Sequence, residues 1–285
     1  MIKMESLSYD TLKENKIPGD IQQLTTIIKY EMINYFRAKR FYVLLAIGLI
    51  ISIILTVLIA YYRPALFISS PLTFYGSWLG NSIIFVIVLS AIFFGSDSIS
   101  GEFQNKTGYY IASRPIRRSS IYIGKWIASF IASFFIVMIF IVIAILNGIY
   151  YFGFNIPYEV WDATAFSIVF LVSVLGFAFF FSSLFKSSTY SIIVTAILFL
   201  FAFGLIQFLV TNLVGIEPWF LITYGSSIIT NIFLVPYPPH IEASIIPGRH
   251  PTYVATVAEG LIIMGAYFII STILGLLIFE KKEFN

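Results

Sequence analysis

Apolar residues in this chain gather into six long blocks that are separated by polar stretches. A helix rises about 1.5 Å per residue, so about 20 apolar residues are needed to cross a hydrocarbon core of about 30 Å. Each block is long enough, and the sequence therefore predicts an all-α, polytopic membrane protein with six transmembrane helices. The predicted spans one to six are residues 41–62, 78–99, 121–150, 165–185, 190–213 and 256–279.

A different pattern precedes the first block. Residues 1–20 are polar and predict a cytoplasmic tail, whereas in residues 21–40 apolar side chains recur every three or four positions, as on one face of a helix. The apolar set is Ile21, Leu24, Ile28, Met32 and Tyr35. A basic end at residues 37–40 favours an amphipathic helix lying in the membrane interface over a helix packed on a soluble domain. Residues 41–285 are then the transmembrane domain.

The stretch between the fifth and sixth spans, residues 214–255, is predicted to be external. It contains an apolar segment, 219–235, that glycine and serine interrupt and that is near the shortest length for a crossing. A seventh span there would move Lys281 and Lys282 to the external side. We interpret the segment as an external helical segment that lies on the membrane or re-enters it.

Composition and charge support a membrane protein and orient it. The chain is 59% hydrophobic and 11% charged, against roughly 25% charged in a soluble domain. All but two of the 17 lysines and arginines, Arg63 and Arg249, fall on the side of the chain ends, so both termini are predicted to be cytoplasmic in the cell membrane. The basic residues are scattered at membrane edges, which argues against nucleic-acid binding.

The sequence offers few residues for chemistry. The histidines, His240 and His250, fall in the external stretch, and a metal pair with Glu242 matches no known ligand spacing, so no metal is predicted. The chain contains no cysteine that could bind one. Gly124-Lys125 is followed by tryptophan rather than serine or threonine, so this chain has no ATP-binding loop and no cofactor of its own.

Two other classes of membrane protein remain as alternatives. A membrane-embedded enzyme needs convergent catalytic groups at membrane depth. A secondary, ion-coupled carrier needs charged residues at mid-bilayer and an inverted repeat. Neither feature is visible in the sequence, and Glu259, near the start of the sixth predicted span, is the only support for a carrier. Deeper polar residues are Asn81 in span two and Gln207 and Thr211 in span five, which either line a cavity or bond to a neighbouring helix.

Residues 100–120, here called the coupling loop, join the second and third predicted spans. The pattern predicts a short helix that Pro115 ends, followed by a basic turn into span three. One interpretation is a solvated loop that enforces topology. The other is a surface on which a cytoplasmic partner acts.

This loop resembles the corresponding segment of permease subunits of ABC-2 type ABC transporters. Their motif has an acidic residue, Gly-Thr, a hydrophobic pair, proline, arginine, and Gly-Lys at the start of span three. The matching residues here are Glu102, Thr107-Gly108 in reversed order, Tyr110-Ile111, Pro115, Arg117-Arg118 and Gly124-Lys125. The amphipathic helix, the six spans and the external segment extend the resemblance over nearly the whole chain.

The resemblance implies a function. Two permease copies, as a homodimer, would surround a central cavity, and two cytoplasmic ATPase subunits, which hold ATP and magnesium, would drive export by alternating access. The implied ATPase-coupling residues are Glu102, Thr107, Gly108, Arg114, Pro115, Arg117, Arg118 and Lys125. The implied cavity residues are Asn81, Gln207 and Thr211. An aromatic content of 18% favours an amphipathic or apolar substrate such as a peptide, drug or lipid, although lipid-facing aromatic residues explain the same content.

Overall fold

A computed structural model describes residues 19–62, 64, 69–107, 117–242 and 250–282 of the chain. All but the last two residues of the predicted tail, 1–20, lie outside these residues. Arg63 and Arg249, the two basic residues predicted to be external, lie outside them as well.

Six helices in the described residues are long and apolar enough to cross a membrane, which confirms the predicted number. Spans one to six are Lys39–Tyr62, Pro71–Ser98, Arg118–Phe152, Glu159–Leu184, Ser188–Val214 and Val257–Lys281. Contacts at one end of the bundle join the start of span three to the end of span six. We call that end, which carries both ends of the described chain, the terminal side, and the other end the opposite side.

The amphipathic helix, Asp20–Arg37, packs along the first turns of span three. A Cβ atom on Gly124 would lie 2.7 Å from Cγ2 of Ile27, so only glycine permits this approach. The packed face of the helix is the predicted one except at its start: Leu24, Ile28 and Met32 are half-buried and Tyr35 is buried, whereas Ile21 is 78% exposed. Gln23, which lies outside the predicted apolar set, is buried. The first turn of the helix lies beside the residue before span three, where Asp20 pairs with Arg117.

Span two starts seven residues before the predicted position and consists of two helices, Pro71–Leu79 and Asn81–Ser98. Ser70 caps the first helix by accepting the backbone N–H of Thr73, and proline occupies the first turn, where its missing N–H costs nothing. Gly80 separates the two helices with ψ of −105°, which a regular helix does not have. The cap and the glycine explain why the hydrophobic block alone misplaced this start.

The remaining elements are short interruptions and connections. Span five contains two π-helical stretches, and the helices between the spans are one or two turns long. The bounds are Ser100–Gln104 after span two; Ser188–Ile197, Leu198–Ala202 (π), Phe203–Leu209 and Val210–Val214 (π) within span five; Ile222–Ser226 and Ile228–Asn231 after it; and strands Ile241–Glu242 and Thr252–Tyr253, which pair antiparallel. The predicted external helical segment is therefore two short helices rather than a seventh span.

Span four is the centre of the bundle and packs against spans two and six. A Cβ atom on Gly95 of span two would lie 2.7 Å from Cβ of Ala178, so small residues set this close contact. The outer faces of spans one, five and six carry exposed apolar side chains: Ile53 is 60%, Phe201 69% and Ile262 70% exposed. Such faces need lipid or another chain to cover them.

A candidate coupling site on the terminal side

Lys125 lies two turns into span three, and its side chain is only 4% exposed. Its Nζ donates hydrogen bonds to Oε1 of Glu31 at 2.5 Å and to Oε1 of Glu102 at 2.7 Å. Glu31 belongs to the amphipathic helix, and Glu102 to the short helix that follows span two. Because a buried charge is costly unless it is paired and hydrogen-bonded, this ammonium group fixes three segments relative to one another.

Glu102 has a second bond. Its Oε2 accepts the hydroxyl of Thr107, which lies three residues after the end of the short helix Ser100–Gln104. Burial raises the pKa of the Glu102 carboxyl, but the charge and hydrogen bond of Lys125, together with Thr107, outweigh it, so the pKa lies below its ordinary value. We call Lys125, Glu31, Glu102 and Thr107 the lysine cluster.

Tyr35 links the amphipathic helix to spans two and three through hydrogen bonds between uncharged groups. Its hydroxyl is hydrogen-bonded to Oγ of Ser98 at 2.9 Å and to Oγ of Ser129 at 2.8 Å. These residues come from the amphipathic helix, span two and span three. Burial raises the pKa of Tyr35, so the phenol keeps its proton and can donate.

Asp97 extends the polar contacts to spans one and five. Its carboxylate forms an ion pair with Arg40, at the start of span one, and accepts the hydroxyl of Ser188, at the start of span five. The side-chain oxygen of Gln104 accepts the backbone N–H of Ser188 at 2.8 Å. This N–H belongs to the first turn of span five, where helix geometry supplies no partner.

The lysine cluster and the Asp97 pair border a polar cleft of about 210 Å³. Asn34 and Asn105 complete part of its lining. Amides, hydroxyls, three carboxylates and two cations line it, and each charged group contacts one of opposite sign, since Lys125 serves two carboxylates. The described lining contains no histidine or cysteine, and its arrangement suits a joint between helices rather than a catalytic centre.

Arg118 ties the start of span three to the end of span six. Its Nη1 donates to the backbone oxygens of Glu280 at 2.8 Å and of Lys282 at 2.9 Å. The last carbonyls of a helix lack partners within the helix, so the guanidinium satisfies groups that water or a cap would otherwise bind.

Lys282 makes the corresponding contact to span four. Its Nζ donates to the backbone oxygens of Ser183 at 2.7 Å and Phe185 at 2.8 Å and lies 4.2 Å from the ring centre of Phe103. Burial, and then the charge of Lys186, lower the pKa of Lys282 to about 8. The end of span six is therefore hydrogen-bonded to the start of span three through Arg118 and to the end of span four through Lys282.

The structure brings part of the predicted coupling set together. Glu102, Thr107 and Lys125 meet in the lysine cluster, whereas Arg117 pairs with Asp20 at 2.8 Å on the exposed surface. Arg118 binds the end of span six. The other predicted members of the motif lie outside the described residues: Gly108, Tyr110, Ile111, Arg114 and Pro115.

Sequence reasoning missed Glu31 and the pair Arg40–Asp97. Glu31 had a usable signal, because it is four residues from both Ile27 and Tyr35 and so lies on the packed face of the amphipathic helix. A carboxylate on that face requires a buried partner.

The predicted cavity residues stay a prediction. Asn81 begins the second helix of span two, while Gln207 and Thr211 are half-buried in span five. Span five packs on span two along Ser188–Ile197, and its Phe203–Leu209 stretch contacts the short helix Ile222–Ser226.

On the opposite side, His240 meets two glutamates that its spacing in the sequence did not indicate. Its Nε2 lies 3.6 Å from Oε2 of Glu217, and its Nδ1 lies 3.5 Å from Oε2 of Glu259. Glu242 is in the first strand, and His250 packs against Gly215, whose φ of +71° ends span five. We call Glu217, His240 and Glu259 the glutamate–histidine cluster.

Six membrane-spanning helices, joined at one end by buried ion pairs, define a multi-pass α-helical membrane protein. Residues 25–284 match the family model described as ABC-2 family transporter protein. The chain therefore belongs to this family and is the transmembrane permease of a transporter. Permeases of the family work with an ABC ATPase subunit and are typically not catalytic themselves. No curated protein matches the chain.

Proposed function

We propose that this chain is the permease subunit of an ATP-driven exporter, and that a cytoplasmic ATPase drives it through the terminal side. The observation that supports this proposal is the lysine cluster. Its single ammonium group connects the amphipathic helix, the connection after span two and span three. A displacement of this surface would therefore be passed to span three and to the two helices that adjoin spans one and two.

The lysine cluster gives the surface the stiffness that transmission needs. If the ATPase pushed on a flexible loop, the loop would move without its helices. Here, if Glu102 moved away from Lys125, the buried ammonium group would lose one of its two carboxylate partners. Lys125 is part of span three, so span three should follow a movement of Glu102. Closure of the ATPase on ATP would shift the permease between two states, which requires that the two states contact the ATPase differently.

The docking surface would lie outside the lysine cluster. Exposed charges border it on the terminal side: the pair Arg117–Asp20, together with Lys29 and Lys106. The excess of lysine and arginine on this side supports a cytoplasmic position for it and for both chain ends. We assign contact with the ATPase to these residues and to the undescribed part of the coupling loop.

Two permease copies and two ATPase subunits would form the complete exporter. The exposed apolar faces of spans one and five are available to a second copy of this chain. In such a homodimer Asn81, Gln207 and Thr211 would line the substrate cavity.

An amphipathic or apolar substrate fits the chain best. A second cavity, which does not include the three residues just named, has a volume of about 390 Å³ and opens between spans four and six. Its lining is apolar and aromatic, with Phe177, Phe180, Trp219 and Phe220 among the side chains. Ligand pockets have volumes of about 300–1,000 Å³. Peptides, drugs and lipid-like molecules carry apolar groups that such a lining accepts.

The test begins with the complex. Tagged chain should co-purify with an ABC ATPase, and the permease should change the ATP turnover of that ATPase after reconstitution in lipid nanodiscs. Glu102→Gln should reduce this permease-dependent change at least tenfold while the ATPase still co-purifies. Glu242→Gln, an exposed carboxylate on the opposite side, is the matched control and should leave it unchanged.

An absence of any co-purifying ATPase, together with an absence of ATP turnover, would contradict the proposal. Equal behaviour of Glu102→Gln and Glu242→Gln would contradict the coupling role of the lysine cluster while leaving the exporter assignment in place. A secondary carrier, by contrast, would move substrate in vesicles that contain this chain alone.

A further inference from the structure

The glutamate–histidine cluster on the opposite side is the second concentration of charge in the described chain. One donor atom from each of Glu217, His240 and Glu259 lies within 4.8 Å of the others. All three side chains are partly buried. They come from three separate segments: the turn after span five, the stretch before the first strand and the first turn of span six.

The charges in this cluster are not balanced within the described residues. Glu217 and Glu259 bring two negative charges, and no lysine or arginine of the described ranges forms an ion pair with either. Carboxylates held this close repel one another, because Coulomb interactions strengthen as water is excluded. A cation of charge two would neutralise both.

The hydrogen bonds of His240 determine which ring nitrogen is free. Nδ1 lies 2.9 Å from the backbone oxygen of Val254 and faces Glu259 as well, so Nδ1 carries the proton of the neutral ring. Nε2 then holds the lone pair and points it towards Oε2 of Glu217. A lone pair facing a carboxylate is unfavourable unless a metal cation lies between them or the ring takes up a second proton. Histidine ligands typically donate their second N–H to a backbone carbonyl in this way.

Both glutamates are also held by a second group. Oε1 of Glu217 accepts the hydroxyl of Tyr224 at 2.9 Å, and Oε2 of Glu259 accepts the backbone N–H of Thr256 at 2.9 Å. Each glutamate keeps one further oxygen for another ligand.

From this geometry we propose that Glu217, His240 and Glu259 bind a divalent transition-metal ion of the zinc class. One imidazole nitrogen and two carboxylate oxygens suit Zn²⁺, which bonds to both at about 2.0–2.2 Å. Donor atoms around a tetrahedral ion of this size lie roughly 3.3–3.5 Å apart, and the Nε2–Glu217 distance is already 3.6 Å. Water completes the coordination.

Binding would tie the end of span five and the following segment to the start of span six. The site is independent of the proposed exporter function, because it involves neither the terminal side nor an ATPase. It can therefore be tested on the purified full-length chain alone.

The experiment measures Zn²⁺ binding to the full-length chain in nanodiscs by isothermal titration calorimetry. One ion should bind per chain, and His240→Ala should weaken the affinity at least 100-fold. Glu217→Gln and Glu259→Gln should each weaken it at least tenfold. His250→Ala is the matched control, since His250 lies in the same region but outside the cluster, and its affinity should equal that of the wild type.

Tyr224→Phe tests the positioning of Glu217. It removes one oxygen atom, and loss of such a supporting bond typically costs 10- to 100-fold in metal affinity. The affinity should therefore fall without loss of the one-to-one stoichiometry.

X-ray absorption at the zinc edge keeps the proposal testable if His240→Ala does not fold. The wild-type spectrum should show a single imidazole nitrogen, with oxygen as the other ligands. Two or more imidazoles, none, or no Zn²⁺ binding would overturn the proposal. Unchanged affinity in a folded His240→Ala variant would overturn it too, and the cluster would then be an imidazolium ion paired with two glutamates.

Discussion

The lysine cluster makes a strong prediction about stability, because Lys125 is the one cation in the described part of the chain that pairs with both Glu31 and Glu102. In Lys125→Met the side chain keeps nearly the same length and apolar volume but loses the ammonium group. Glu31 and Glu102 then remain close together with side chains that are 17% and 19% exposed. The variant therefore tests the buried charge and not the packing.

The expected magnitude follows from burial. Breaking a buried ion pair by removing one partner costs about 3–5 kcal/mol. The cleft admits water to the two glutamates, so we expect the lower end, about 3 kcal/mol. Glu31→Gln leaves Lys125 bound to Glu102 and only weakens the hydrogen bond between Lys125 and residue 31. It should therefore lower the free energy of unfolding by about 1.5 kcal/mol. In the double variant the two losses should overlap, with a coupling energy within about 0.5–3 kcal/mol.

The absence of cysteine from the chain makes the assay direct. Ser133 is fully buried in span three, so Ser133→Cys supplies one reporter thiol that reacts only on unfolding. The rate of thiol modification against denaturant concentration gives the free energy of unfolding in each background. Lys29→Met, an exposed lysine on the amphipathic helix, is the control and should change it by less than about 0.5 kcal/mol.

Two results would refute this reasoning. If Lys125→Met were no less stable than Lys29→Met, the buried ion pairs would contribute nothing that a methionine cannot replace. If Lys125→Met and Glu31→Gln added without overlap, the two residues would not act through one another.

Two further predictions concern span six and the residue after it. Gly275→Ala should destabilise the chain by about 1–3 kcal/mol, because its Cβ would lie 2.4 Å from the hydroxyl of Tyr122. Gly265→Ala, whose Cβ would have nothing within 4 Å, should be neutral or slightly stabilising. Equal denaturant midpoints for the two variants would contradict this prediction. Lys282 has a pKa of about 8, so above pH 8 the folded chain binds fewer protons at this lysine than the unfolded chain does. The free energy of unfolding should therefore rise between pH 8 and about 10.5, and Lys282→Met should lack this rise. Identical pH profiles for the two proteins would show that the lysine is not buried as described.

Much of the fold could be predicted from the sequence, because crossing a bilayer imposes a length and an apolar composition that a single chain displays directly. The start of span two could not. The capping bonds of Ser70 and the break at Gly80 depend on local backbone geometry, not on hydropathy. The π-helical stretches of span five were also invisible, since they shift the helix register without changing its composition.

The candidate sites also contain some residues that the sequence revealed and others that it did not. Glu102 and Lys125 were found because a motif within one loop contains both. Glu31 is 94 residues from Lys125, and only the packing of the amphipathic helix on span three joins them. The partners of His240 were missed for the same reason, since Glu217 and Glu259 reach it through turns whose geometry spacing does not reveal.

The separation of exposed and buried charges on the terminal side distinguishes docking from transmission. Arg117 and Asp20 are exposed, so a variant there removes a contact that a partner could use but leaves the joints between helices intact. Lys125 is buried, so its loss leaves the outer surface in place but frees the coupling loop from span three. In the proposed exporter, Arg117→Ala should therefore weaken ATPase binding with normal turnover in the assembled complex, whereas Lys125→Met should leave binding intact and uncouple turnover. Titration of the ATPase against each variant, read as affinity and as maximal permease-dependent turnover, separates the two effects. If both variants changed only the affinity, or both changed only the turnover, the exposed and buried charges would act as one contact surface. The lysine cluster would then have no separate role in transmission.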